Sequence, residues 1–175
     1  MRYLLNKANG TKEYIKMSTD NMPKILTPNF IEVYNCIIID TNNEIKAENI
    51  DFERILLMFQ DRTGYEASCN EVRLNDYIDC SDEMGVLKTA EIIMKVWEKK
   101  LVSEYPQYRF CIILSFSEGY ATLRFHMIRE NEKSWLKSDL ETYKAQIPRS
   151  VISRLTPAPS FPWTGRCIFD LQKPL

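Results

Sequence analysis

The chain has 175 residues, 45% hydrophobic and 27% charged side chains, and a formal net charge of −1. That is enough for one domain with a sizeable core and too little for two comfortable ones. The near-neutral balance argues against a nucleic-acid or anionic-membrane partner, because such binding uses a surplus of Lys and Arg to neutralise phosphates.

The start Met1–Lys7 has an unbroken run of only three apolar residues, Tyr3–Leu5, before Asn6, short of the roughly 7 to 15 of a secretion signal. No segment approaches the roughly 20 apolar residues of a membrane span. Five cysteines (Cys36, Cys69, Cys80, Cys111, Cys167) form an odd set without a C-x-x-C pair. Reduced thiols in a cytoplasmic protein fit that pattern best.

Asn9-Gly10, between Tyr3–Leu5 and Tyr14–Met17, suits a first hairpin. After Pro23 and Pro28, Ile31–Asp40 is apolar on both faces and is expected to form one central strand. Asp51 can cap a helix running through Asp61, with Phe52, Ile55, Leu56 and Phe59 at helical spacing and Gly64 placed to end it. Glu71–Ile78 alternates enough for a further strand.

Ser81 is expected to cap the longest helix, with Asp82 and Glu83 in its positive first turn and Pro106 at its end. Its stripe of Val86, Ala90, Ile93, Trp97 and Leu101 should cover the sheet. The next pair of segments, Tyr108–Phe116 and Ala121–Arg129, reads as an antiparallel hairpin with an even loop, either Glu118-Gly119 or Ser117–Tyr120. Only that register sets Phe116, Leu114, Ile112 and Phe110 against Ala121, Leu123, Phe125 and Met127, making one face wholly apolar. It also sets Cys111 against His126, the chain's one histidine.

Ser138–Glu141 matches a capping box and predicts one or two helical turns, stopped by Pro148. Five of the eight prolines lie from Pro148 onward, where Arg149, Arg154, Arg166 and Lys173 against Asp170 give a net of +3 and leave −4 for the rest. The expected organisation is a domain over 1–147 and a proline-rich basic extension over 148–175. The fold class is α+β: a mixed, largely antiparallel sheet, one long covering helix and one or two short ones.

Isolated glycines exclude phosphate-cradling loops, and no G-x-S-x-G elbow occurs. A zinc site would have to draw on Cys69, Cys80, His126 and remote carboxylates without a recognised spacing, so no cofactor or metal is expected. Cys111 and His126 could form a thiolate pair for a small cysteine hydrolase or transferase. The competing reading is a buried Cys and an amphipathic His that simply fill a sheet face.

The other signal is acidic. Between Glu66 and Glu83 the chain carries Glu66, Glu71, Asp76, Asp79, Asp82 and Glu83 against Arg73 alone, a net of −5, interspersed with Tyr65, Asn75 and Tyr77. Such a surface, with Tyr77 as contact area, suits a basic protein partner; otherwise it is a solvated face that keeps the chain dispersed.

The pattern of Ala121–His126, Arg129-Glu130, Trp135-Leu136, then Asp139-Leu140-Glu141 and Tyr143, after the strand at Tyr108–Ile112, resembles small bacterial immunity proteins of polymorphic-toxin and contact-dependent inhibition systems. The resemblance covers about residues 34–143. It implies a cytoplasmic protein, not an enzyme, that binds one cognate toxin domain, often a nuclease, and blocks its active site. A third reading is a nucleic-acid accessory role for the basic tail. Oligomeric state is open on these grounds.

Overall fold

The computed structural model describes residues 16–17, 22–79, 82–136 and 150–156. The fold is α+β, with antiparallel strand pairing throughout these residues. The main sheet has four strands in the order β4 (Val72–Arg73), β7 (Tyr120–Met127), β6 (Phe110–Ser117) and β8 (Ser150–Leu155). A hairpin of β2 (Phe30–Val33) and β3 (Cys36–Ile39) stands apart from it, and β1 (Lys16–Met17) pairs with β5 (Ile78–Asp79). The helices are α1 (Met22–Leu26), α2 (Phe52–Phe59), α3 (Arg62–Cys69) and α4 (Glu83–Glu104). Among the described residues no helix is long and apolar enough to cross a membrane.

The β6–β7 hairpin has the expected register, with Leu114 opposite Leu123, Phe110 opposite Met127 and Cys111 opposite His126. Its loop is the two-residue Glu118-Gly119, at φ 51° and 80°, the pair of positive angles that a tight hairpin turn requires. All eight apolar residues of the predicted face are buried in one core with Val86, Ala90, Ile93, Trp97 and Leu101 of α4. Trp97 is fully buried, donates its indole N–H to the Ile25 carbonyl at 2.8 Å, and meets Phe30 and Phe125 edge-on at 6.4 and 6.0 Å. The cap of α4 is Asp82, whose carboxylate accepts from the backbone N–H groups of Met84 and Gly85. Ser81 lies outside the described residues.

Ile31–Asp40 is not one central strand. Tyr34 and Asn35, at φ 51° and 59°, form a turn that folds the segment into β2 and β3, with Val33 opposite Cys36. Asn tolerates the left-handed region at little cost, so apolar residues on both sides of it describe a hairpin as well as a strand. Glu71–Ile78 is likewise divided into β4, a 3₁₀ turn over Leu74–Asp76, and β5. The turn lets Leu74 enter the main core and lets Asn75 bond both the Gly119 carbonyl and the Ala121 N–H.

The helix from Asp51 stops at Phe59, with Asp51 accepting from the Arg54 N–H, because Gln60 turns to φ 70°. Asp61 then caps a second helix and accepts from the Gly64 N–H at 2.7 Å. Gly64 therefore lies inside α3 and does not end α2. It is there for closeness, since a Cβ at this position would stand 2.6 Å from the Phe59 carbonyl oxygen. Gly64→Ala should destabilise the protein by about 1 to 3 kcal/mol, as a small-to-large change that backbone must shift to admit. An unchanged urea midpoint would show that the α2–α3 corner yields freely.

The extension expected from residue 148 contributes β8, which lies along β6 with Leu114 opposite Ile152. Thr156 closes that strand pair, its N–H donating to the Phe110 carbonyl and its hydroxyl accepting from the Phe110 N–H. The sheet thus extends to residue 155, beyond the expected boundary at 147. The Asn9-Gly10 turn and the capping box at Ser138–Glu141 lie outside the described residues.

Candidate functional site

Glu66 lies in α3 and Asn70, four residues on, is its C-cap, so the two share one face. That face is wedged between β3 and β7. Glu66 accepts from the Ile37 N–H and the Met127 N–H, each at 2.7 Å, and from both terminal nitrogens of Arg129 at 2.9 Å. Asn70 accepts from the Ile39 N–H and donates to the carbonyls of Ile37 and Phe125. Two side chains therefore satisfy backbone groups of β3 and β7 that would otherwise need a partner strand.

Arg129 ties this seam to its surroundings, donating also to the Asn35 carbonyl at 2.7 Å. Glu132 lies 3.5 Å from the same guanidinium and accepts from the N–H and hydroxyl of Thr63. Glu66 is fully buried, and burial pushes its carboxyl above the usual carboxylate range, against the opposing pull of Arg129 and the two amides. Four donors face it, so the carboxylate form is the one the geometry serves. Burial, helped by the Glu66 charge, also pushes the nearby Cys36 thiol up to about 12, which keeps it protonated.

The acidic residues singled out in the sequence are dispersed by the fold. Glu66 belongs to the buried seam and not to any surface, which corrects its expected place in a partner interface. Glu71 pairs with Arg124, which also lies 5.6 Å from the Trp135 ring, and stands 3.5 Å from Arg73. Asp82 is committed to its helix cap, and Asp79 lies in β5 in register with Lys16. Asp76 and Glu83 are exposed, and Tyr77 is half-buried against the main core. Glu71, Asp76 and Tyr77 line one open depression of about 450 Å³ with Ser68, Val72 and Arg73.

Cys111 and His126 are brought side by side, as their register demands, but are only 5% and 2% exposed. The imidazole bonds the Met127 carbonyl through Nδ1 at 3.0 Å. Burial, with the Arg129 charge beside it, lowers its pKa from the usual histidine value. Both side chains are thus enclosed within the sheet. Among the described residues no three His, Cys, Asp or Glu groups converge as metal ligands; Cys69 is exposed while His126 is buried, and Cys80 lies outside the described residues.

Sequence reasoning did not find Arg129 or Asn70. The signals present were the four-residue spacing of Glu66 and Asn70 and a lone Arg just past a strand, neither of which names its partner.

Uncharacterized protein PM0498 of Pasteurella multocida (strain Pm70) is 24% identical to this chain over 136 residues, 73% of this chain and 81% of that protein. No solved structure matches. The family described as "Uncharacterized protein PM0498 family" matches residues 1–154, a span that takes in every strand and helix described above through Arg154 of β8, and the chain belongs to that family.

Proposed function

We propose that this chain is a cytoplasmic inhibitor of the immunity-protein kind, which binds one cognate bacterial toxin domain stoichiometrically and blocks it without catalysis. What carries the reading is the depression in which Glu71, Asp76 and Tyr77, residues expected from the sequence to meet a partner, come together. The Arg124–Trp135 contact extends this surface through the Glu71 pair. Tyr, Trp and Arg are the side chains most often found at the energetic centre of protein interfaces.

The partner surface would be basic. Because Glu66, Glu71 and Asp82 are engaged internally, the exposed Asp76 and Glu83 are acids of the stretch available to steer it.

The test is co-expression of the chain with each product of the adjacent coding sequences, followed by growth measurement and calorimetry of any pair. The expected result is one toxic product that the chain binds one-to-one and neutralises. With that product in hand, Asp76→Asn combined with Glu83→Gln should slow association several-fold at low salt and flatten its salt dependence. Trp135→Ala should instead speed dissociation. If no adjacent product is toxic, or a toxic one is neither bound nor neutralised, the reading fails.

A further inference from the structure

Among the described residues, one buried side-chain polar atom has no hydrogen-bond partner: Nε2 of His126. Buried polar groups are nearly always satisfied, so a bare nitrogen in a packed seam calls for an explanation. Nδ1 faces the Met127 carbonyl and must carry the proton to bond it, which leaves Nε2 as an unprotonated lone pair. The neutral ring is the form this site accepts.

We propose that His126 is an acid-sensitive latch on the α3–β3–β7 seam: protonating its imidazole loosens the Glu66–Arg129 junction and uncovers the backbone edges that Glu66 and Asn70 protect. Met127 links the two, since its N–H donates to Glu66 while its carbonyl accepts from His126. The charged groups acting on the ring are Arg129 beyond β7, Asp61 at the N-cap of α3 and Glu132 in the segment after β7, while Glu66 is tied to it through Met127. From β6, Cys111 stands directly opposite.

An imidazolium would be a second buried cation beside Arg129. The acids that could compensate are already engaged, Asp61 by the Gly64 N–H, Glu132 by Thr63 and Glu66 by four donors. Moving any of them toward His126 takes it from the seam.

The sign follows from this environment. Burial, with Arg129 beside the ring, holds the imidazole of the closed seam below the free histidine value of about 6.5. The opened state binds the proton more readily, so the latch is fully closed above that value and weakens as pH falls from it toward the lower pKa of the closed form. One linked proton limits the effect to about tenfold per pH unit.

Because the chain has one histidine, NMR can follow this ring without assignment by mutation. In the wild-type protein between pH 8 and 5, the imidazole should titrate below 6.5. Amide-exchange protection at Ile37 and Met127 should fall by up to about tenfold per pH unit, while protection at Trp97 in α4 stays level. In His126→Gln and His126→Phe the fall at Ile37 and Met127 should flatten; Glu66 and Arg129 are retained, so any slope left belongs to them.

A ring midpoint at or above 6.5 overturns the proposal, as does an equal pH dependence in the variants. Should neither variant fold, the wild-type experiment decides alone: loss of protection at Trp97 in step with Ile37 and Met127 would mean global unfolding and no latch.

Discussion

Glu66→Ala is expected to destabilise the protein by about 3 to 5 kcal/mol, the range for breaking a buried ion pair by removing one partner. The change strands more than a charge. It leaves the Ile37 and Met127 amides without their acceptor and Arg129 without its bidentate partner, at a site with no solvent to replace them. Glu71→Ala is the control. Its pair with Arg124 is partly exposed, with side chains 28% and 18% accessible, and such pairs contribute about 1 kcal/mol or less. Urea denaturation at pH 7 measures both. Equal losses from the two variants would show that the seam is a peripheral contact.

The second large effect is expected from Trp97→Ala, at about 3 to 5 kcal/mol for emptying the largest fully buried side-chain position in the main core. Trp97→Phe separates two contributions. It keeps an aromatic ring against Phe30 and Phe125 but leaves the Ile25 carbonyl without its donor, which should cost about 1 to 3 kcal/mol of its own. Since a domain of this size is stable by only about 5 to 15 kcal/mol, the alanine variant should be partly unfolded at physiological temperature. A calorimetric melting point within a few degrees of wild type for Trp97→Ala would contradict the packing of α4 on the sheet.

The two expectations rest on different kinds of information. Trp97 was legible in advance because helical spacing is a local property: Val86, Ala90, Ile93, Trp97 and Leu101 share a face whatever lies opposite. The β6–β7 hairpin was legible for a related reason. A one-residue slip turns every side chain to the other face, so only one register buries all eight apolar residues together.

Glu66 was misplaced because charge counted along a sequence carries no partner. Its five acidic neighbours in the stretch made it look like part of a surface. The group that neutralises it, Arg129, is 63 residues away and arrives only when β7 runs past α3. The same holds for Asn70, whose carbonyl partners belong to strands 33 and 55 residues distant.

Local conformation misled in a different way. Tyr34-Asn35 and Gln60 adopt positive φ where the surrounding apolar pattern suits a continuing strand and a continuing helix. Gly64, the residue best suited to such a turn, is used for close packing under the Phe59 carbonyl. The proline-rich composition after Pro148 hid β8, because strand formation there depends on the free edge of β6 and not on the segment itself. The sequence by itself thus determined the main core, the long helix and its covering stripe, and the hairpin with its Cys111–His126 pairing, all consequences of periodicity and burial within one or two adjacent elements. Tertiary structure alone decided which acids are buried, which stay on the surface, and that the main sheet and the β2–β3 hairpin are joined through Glu66 and Asn70, because each outcome depends on groups remote in sequence that only folding brings within hydrogen-bond distance.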